Sequence, residues 1–318
     1  MTAAPSRAVR VREIVELAPS LKRFSFEPAD GGLFPTAPAG GHVMLTLRDG
    51  ARVMKNAYSL VSPPDQRARY DIIVRLVAQS RGGSAFLHRS VAPGDVLEMA
   101  SPISLFPLAA TAKKHLLIGG GIGITPLLSF LPELKARGAR FEMHQLATLE
   151  EVPVFERLLA PYAAGEEIRV HGGGRSAFDM AGLLAHQPLG THLYVCGPTS
   201  LMEAVATTAA ALGWPKGKVH KESFGGDVSG LPFRAVLRKS GIEVEVGASQ
   251  TLLEAIEAAG IEAPCLCRGG ACGECATPVL EGEPDHRDDF LSQQEKAAGS
   301  LIMTCVSRAR GPRIVLDL

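Results

Sequence analysis

Three cysteines in one short loop and a fourth far downstream constrain this chain more than any other feature. They read Cys267-x4-Cys272-x2-Cys275, with Cys305 following after 29 intervening residues. Four of the six cysteines lie between Cys265 and Cys275, too dense for a set of loop-stapling disulfides. In a reducing compartment, clustered thiols are more often metal ligands. The spacing is that of a plant-type 2Fe-2S site, where one tight loop brings three thiolates and a distant strand the fourth. Zinc on the same four cysteines is the competing reading, although zinc modules favour two short Cys pairs. Gly269, Gly270 and Gly273 suit the loop, because backbone N–H groups reach sulfides closely where no side chain intervenes. Cys265 is left over. Using it in place of Cys267 stretches x4 to x6, so a small buried thiol is its expected role.

A length of 318 residues leaves room for two or three domains. Lys plus Arg equals Asp plus Glu at 33 each, so no global field draws nucleic acid or an anionic membrane. The first residues run into the charged stretch 9–16 without an apolar signal segment. The best candidate for a membrane span, 116–131, holds five Gly or Pro residues and fits a glycine loop better. A cytoplasmic protein is expected.

Changes of pattern divide the chain into 1–108, 109–226 and 227–318. The first segment has short alternating runs split by Gly and Pro, which suggests an antiparallel β-barrel. In the second, strands alternate with helices, which implies an α/β domain with a parallel sheet. A Gly-rich stretch, 225–232, reads as a linker. The small third segment begins with a hairpin around Lys239, Ser240 and Gly241, followed by a short helix stopped by Gly260.

Gly119, Gly120, Gly121 and Gly123, then Ile124, Thr125 and Pro126, follow a strand and open a helix. Such a turn lets backbone approach a pyrophosphate, with free N–H groups at the helix start. Tight strand-to-helix turns use glycine for packing as well. Cys196, Gly197 and Pro198 end another parallel strand, and ligands of open parallel sheets sit at those carboxyl ends. A buried core thiol is the alternative role for Cys196.

Two further segments, Asn56-Ala57-Tyr58-Ser59 and Ser80-Arg81-Gly82-Gly83-Ser84, precede the glycine loop. Taken in this order with the glycine loop, the Cys-Gly-Pro and the cysteine cluster, they resemble the phthalate dioxygenase reductase family, and within it the carnitine monooxygenase reductases. The resemblance runs over essentially the whole chain, down to 283–288 and 305–310. It implies a multidomain protein: an FMN-binding antiparallel β-barrel, an NADH-binding α/β domain and a β-grasp ferredoxin domain. It also implies a monomer whose partner is a separate Rieske-type oxygenase.

Carried over by motif, Asn56, Ala57, Tyr58 and Ser59 flank the flavin, and Arg81, Gly82, Gly83 and Ser84 take the FMN phosphate. Gly120, Gly121, Gly123, Ile124 and Thr125, with Cys196, Gly197 and Pro198, serve the dinucleotide. Hydride transfer is expected near Tyr58, Ser59 and Cys196, with Glu222 and Phe224 beside the flavin. In relatives an Arg stands where this chain has Asn56; Lys55 and Arg75 are the cations left to replace it. Relatives often place an Arg shortly after the strand 141–146, where this chain has Ala147 and Thr148, so the expectation of NADH over NADPH rests on the resemblance. The nine histidines show no ligand spacing and receive no role. Two alternatives remain: a reductase serving a cytochrome P450, and a redox sensor that does not turn over.

Overall fold

The computed structural model describes residues 6–50, 52–77, 82–174, 178–225 and 228–318. Arg81, expected at the FMN phosphate, lies outside the described residues. Two compact units emerge, Ala4–Glu222 and Ser223–Leu318.

The first unit begins with an antiparallel sheet in the order β4-β3-β6-β1-β2-β5. Its strands are β1 (Ser6–Ala18), β2 (Leu21–Pro28), β3 (His42–Asp49), β4 (Arg52–Ser59), β5 (Tyr70–Arg75) and β6 (Val96–Ala100). Alternation sends Val9, Val11, Phe24, Phe26, Val43 and Leu45 into one fully buried core. The sheet curls until its edges meet: Leu60 bridges Ile72, and Val61 N–H donates to Asp71 O at 2.8 Å. Helix α1 (Gly83–Arg89) lies between β5 and β6, and Lys22 Nζ donates to His88 O at 2.9 Å near its C-terminal end.

A parallel sheet follows: β7 (Lys114–Gly120), β8 (Phe141–Leu146), β9 (Glu167–His171), β10 (Thr191–Cys196) and β11 (Val219–Glu222). Helices α2 (Ile124–Ala136), α3 (Val152–Leu159), α4 (Met180–Ala185) and α5 (Thr199–Ala211) connect the strands. The order β11-β10-β7-β8-β9 reverses direction between β7 and β10. That switch point is where open α/β sheets take their ligands. Barrel and parallel sheet share one core: Leu21 and Ile73 of the first pack with Leu127 and Phe130 of α2. Gly40 N–H also donates to Ser129 Oγ of α2 at 2.8 Å.

Histidines without any linear spacing pair across these strands. His144 Nδ1 lies 2.9 Å from His171 Nε2, and His192 Nδ1 3.0 Å from His220 Nε2. Burial pushes the Glu142 carboxyl up, but hydrogen bonds from His144, Lys114 and Gln187 outweigh it and hold the group at about 2.

The second unit contains β12 (Phe233–Leu237), β13 (Ile242–Val246), helix α6 (Leu252–Ala258), β14 (Ala276–Glu281), β15 (Pro284–Asp285), helix α7 (Gln293–Ala298), β16 (Leu301–Met303), β17 (Arg308–Ala309) and β18 (Arg313–Leu316). Its main sheet runs β13-β12-β18-β14-β16, with β12 and β18 parallel at the centre. The expected hairpin is β12–β13. Thr251 and Glu254 form a reciprocal cap on α6, which buries Leu252, Ala255 and Ile256 against Phe233 and Leu237. Among the described residues no helix is long and apolar enough to cross a membrane.

The expected linker stretch falls within this unit, which starts at Ser223. Arg308, 2% exposed, donates to four carbonyls: Val228 at 2.9 Å, Gln250 at 2.7 Å, Leu231 at 3.0 Å and Gly247 at 3.0 Å. Its guanidinium also sits 5.1 Å from the centre of the Phe233 ring. A buried cation balanced by carbonyls is costly to truncate, because the acceptors are left without donors. Arg308→Met is therefore expected to destabilise the second unit by about 3 kcal/mol. Urea unfolding of the full chain checks this, and a loss below about 0.5 kcal/mol, the scale of an ordinary surface substitution, contradicts the clamp.

Candidate functional site

The four expected thiols converge in the second unit. Cys275 Sγ lies 3.2 Å from Cys305 Sγ, and Cys267 shares hydrogen bonds with Cys272 and Cys305. These bonds hold Cys267 and Cys275 below the ordinary thiol range and push Cys272 and Cys305 above it, the pattern of thiols sharing protons. Gly269 and Ala271 N–H groups each donate to Cys267 Sγ at 3.4 Å. Two irons needing two thiolates each would find the four ligands they require in this donor set. Cys265 is only partly buried, and burial pushes its thiol up to about 11.

The loop is held from two sides. Arg268 is the one non-glycine described residue with a positive φ, +52°. Its side chain, 9% exposed, pairs with Glu257 of α6, which fixes that backbone turn. On the other side a Cβ built on Gly273 lies 2.3 Å from Phe290 Cζ, so only glycine lets that ring rest on the loop. Asp288 Oδ1 accepts from Phe290 N at 3.2 Å and Leu291 N at 2.7 Å, positioning the ring's segment.

In the first unit, the two motifs at the switch point form a single feature. A Cβ on Gly123 meets Cys196 O at 2.2 Å, and one on Gly120 meets Pro198 Cδ at 2.9 Å. These glycines serve the contact of the loop with the Cys-Gly-Pro. Gly121 remains at the mouth, its carbonyl accepting from Gln145 Nε2 at 3.0 Å. Ile124 and Thr125 are buried at the start of α2, where Thr125 Oγ1 donates to Ile122 O at 3.0 Å. Cys196, 0% exposed, pairs in register with Gly119 on one side and Glu222 on the other. Burial pushes its thiol up, reinforced by the Glu222 carboxylate. Burial likewise raises Glu222 to about 8, and its Oε2 has no hydrogen-bond partner. Burial thus disfavours the charged form of both side chains. Phe224 belongs to the second unit and is half exposed there.

Along β4, Asn56, Ala57, Tyr58 and Ser59 pair with Leu45, Met44, Val43 and His42. Tyr58 leans on the barrel core and Ser59 is buried. A Cβ on Gly83 lies 2.5 Å from Asn56 Oδ1, so Asn56 touches the glycine pair that follows Arg81. Ser84 Oγ stands at the edge of hydrogen-bond range, 3.5 Å from Val77 N. Arg75 turns elsewhere: its Nη2 lies 2.6 Å from Glu151 Oε1, and a Cβ on Gly121 is 3.4 Å from the same atom. Its Nε and Nη2 are buried without hydrogen-bond geometry, so the contact with Glu151 is an ion pair. One residue passed over in the sequence reaches this region: a Cβ on Gly82 is 3.2 Å from Arg52 Nη1. The period of two along β4, which puts 52 on the face of 56, is the signal that marks it.

Glu222 makes a pH dependence. Its folded-state carboxyl titrates near 8 and its unfolded one near 4.5, so the unfolded chain loses this proton first as pH rises. Stability from this group falls through the window from 4.5 to 8 and is flat beyond it. Glu222→Gln is expected to gain thermal midpoint on the native chain steadily across that window. A difference that stays constant with pH contradicts the assignment.

Two family models match the chain: "Oxidoreductase FAD-binding domain" over residues 8–107 and "2Fe-2S iron-sulfur cluster binding domain" over residues 236–310. The heme-dependent oxidative N-demethylase beta subunit of Ectopseudomonas mendocina is 45% identical, with 98% of each chain covered. The carnitine monooxygenase reductase subunit of Escherichia coli is 42% identical, again over 98% of each. The solved structure of phthalate dioxygenase reductase superposes with a TM-score of 0.85 at 33% identity, covering 98% of both chains. Similarity at that level, end to end and in both units, makes this chain a member of the phthalate dioxygenase reductase family.

Proposed function

We propose that this chain is the reductase component of an oxygenase system, moving electrons from NADH through FMN to a 2Fe-2S cluster and on to a separate oxygenase. The observation that carries this reading is the convergence of Cys267, Cys272, Cys275 and Cys305 in a chain that also holds a switch-point crevice. When bound, the flavin takes hydride from the nicotinamide and yields its electrons singly, and the cluster carries them one at a time.

The chain's own residues bind, orient and insulate. Gly120, Gly121, Gly123, Ile124 and Thr125 seat the dinucleotide against Gly197 and Pro198, with Arg75 reaching its phosphates. Asn56, Ala57, Tyr58 and Ser59 hold the flavin ring, and Arg81, Gly82, Gly83 and Ser84 its phosphate. Cys196, fully buried, and Glu222, its register neighbour on β11, line the hydride path and keep water from it. No general acid is needed for hydride transfer itself. The turn after β8 carries Glu150 and Glu151, and carboxylates there disfavour a 2′-phosphate, which supports NADH over NADPH.

The domain boundaries follow as 1–108, 109–226 and 227–318, in a cytoplasmic monomer. A Rieske-type oxygenase is the partner implied by the family. A heme-dependent acceptor is the second reading, favoured by the 45% identity to the beta subunit of a heme-dependent demethylase.

Anaerobic NADH is expected to bleach the flavin absorbance of the purified chain at once, whereas a sensor that does not turn over keeps its colour. Cys272→Ser removes the iron–sulfur absorbance and cytochrome c reduction while NADH still reduces the flavin. Loss of flavin reduction in a folded, flavin-loaded Cys272→Ser protein contradicts a linear path.

A further inference from the structure

Arg75 stands between a carboxylate built into the fold and the glycine loop. Its Nη2 lies 2.6 Å from Glu151 Oε1, and a Cβ placed on Gly121 would stand 3.4 Å from that same Nη2. We propose that Glu151 is an internal counter-ion which the dinucleotide's pyrophosphate must displace from Arg75, so that this carboxylate lowers dinucleotide affinity and eases release of the oxidised product. The inference rests on the dinucleotide reading above and deepens it by naming a residue that sets how tightly the dinucleotide is held.

The place of each group follows from the chain. Arg75 ends β5, and the backbone beyond it is fixed where Leu76 N–H donates to Ser20 O at 2.8 Å. Glu151 is the third residue after Thr148, in the turn that opens α3, and the two close a reciprocal cap. Thr148 Oγ1 donates to Glu151 Oε2 at 3.1 Å, while Oε1 meets the guanidinium. One carboxylate thus serves a helix start with one oxygen and a cation with the other. Gly121, at φ +53°, brings bare backbone up to the same guanidinium.

The pair is built to exchange. The side chains of Arg75 and Glu151 are 27% and 13% exposed, so water screens their attraction only in part while an arriving ligand still reaches them. Nη2 meets the carboxylate without hydrogen-bond geometry, and Nε is buried without a partner. Such a contact is weaker than the fork of charge-assisted bonds that a guanidinium makes with phosphate oxygens. Exchange therefore favours the dinucleotide. Its apparent affinity still falls with the fraction of molecules in which Glu151 holds Arg75, and the displaced carboxylate goes on repelling the phosphates.

Oxidised, flavin-loaded full chain titrated with NAD+ tests the exchange. Glu151→Gln is the informative variant, because glutamine serves this capping position as glutamate does while removing the charge. It is expected to tighten NAD+ on the order of 5-fold, the weight of a partly exposed ion pair, and to lower the KM for NADH with it. Arg75→Gln weakens NAD+, and in that background Glu151→Gln no longer tightens it, since the contested cation is gone. Glu156→Gln, at an exposed site on α3, leaves the affinity at the native value. Where the glutamine chain fails to fold, Glu151→Asp, whose carboxylate falls one methylene short of the guanidinium, carries the same test with a smaller expected gain. Unchanged or weaker NAD+ binding in the folded variant overturns the proposal. A gain that survives intact in the Arg75→Gln background does so too, because Glu151 then acts on the phosphates alone. A native chain that binds no NAD+ removes the dinucleotide reading itself.

Discussion

Gathering four thiols is physically unfavourable for a bare polypeptide. Each is partly or wholly buried, where the charged form is penalised, and ionised neighbours repel. Hydrogen bonds that raise Cys272 and Cys305 while lowering Cys267 and Cys275 are the compromise open to the protein alone. Metal with bridging sulfide resolves the conflict more completely, because it binds thiolates and replaces repulsion by coordination. Much of the second unit serves this gathering. The α6 helix presents Glu257 to Arg268, and the segment after β15 presents Asp288 and Phe290 to the other flank of the loop. Cys305 arrives from the stretch just after β16, three residues before the Arg308 clamp.

A different constraint governs the first unit. Reversal of strand order between β7 and β10 opens a crevice at their carboxyl ends, and the chain fills its walls with backbone. Gly123 against Cys196 and Gly120 against Pro198 leave no space for side chains, which brings the loop's edge to the crevice mouth. Burial there also raises the Cys196 thiol and the Glu222 carboxyl.

Legibility differed between the two units for a physical reason. Ligand spacing around a cluster is set by covalent chain length within one loop, so Cys267, Cys272 and Cys275 are readable from sequence alone. Alternating runs and glycine turns likewise announced the barrel and the parallel sheet. Contacts that depend on register were not visible. The His144–His171 and His192–His220 pairs arise only when parallel strands are laid side by side. The four carbonyl partners of Arg308 come together only in the fold, and two of them, Val228 and Leu231, lie in the apparent linker. Arg75, a candidate for the flavin phosphate, is drawn to Glu151.

The central claim is an ordered path, nicotinamide to flavin to cluster. Anaerobic stopped-flow mixing of the reconstituted chain with NADH, paired with freeze-quenched paramagnetic resonance of the cluster, tests it most directly. Flavin absorbance is expected to fall first, with the reduced-cluster signal rising afterwards at a rate independent of NADH concentration. A cluster signal that appears before or without flavin bleaching contradicts the account.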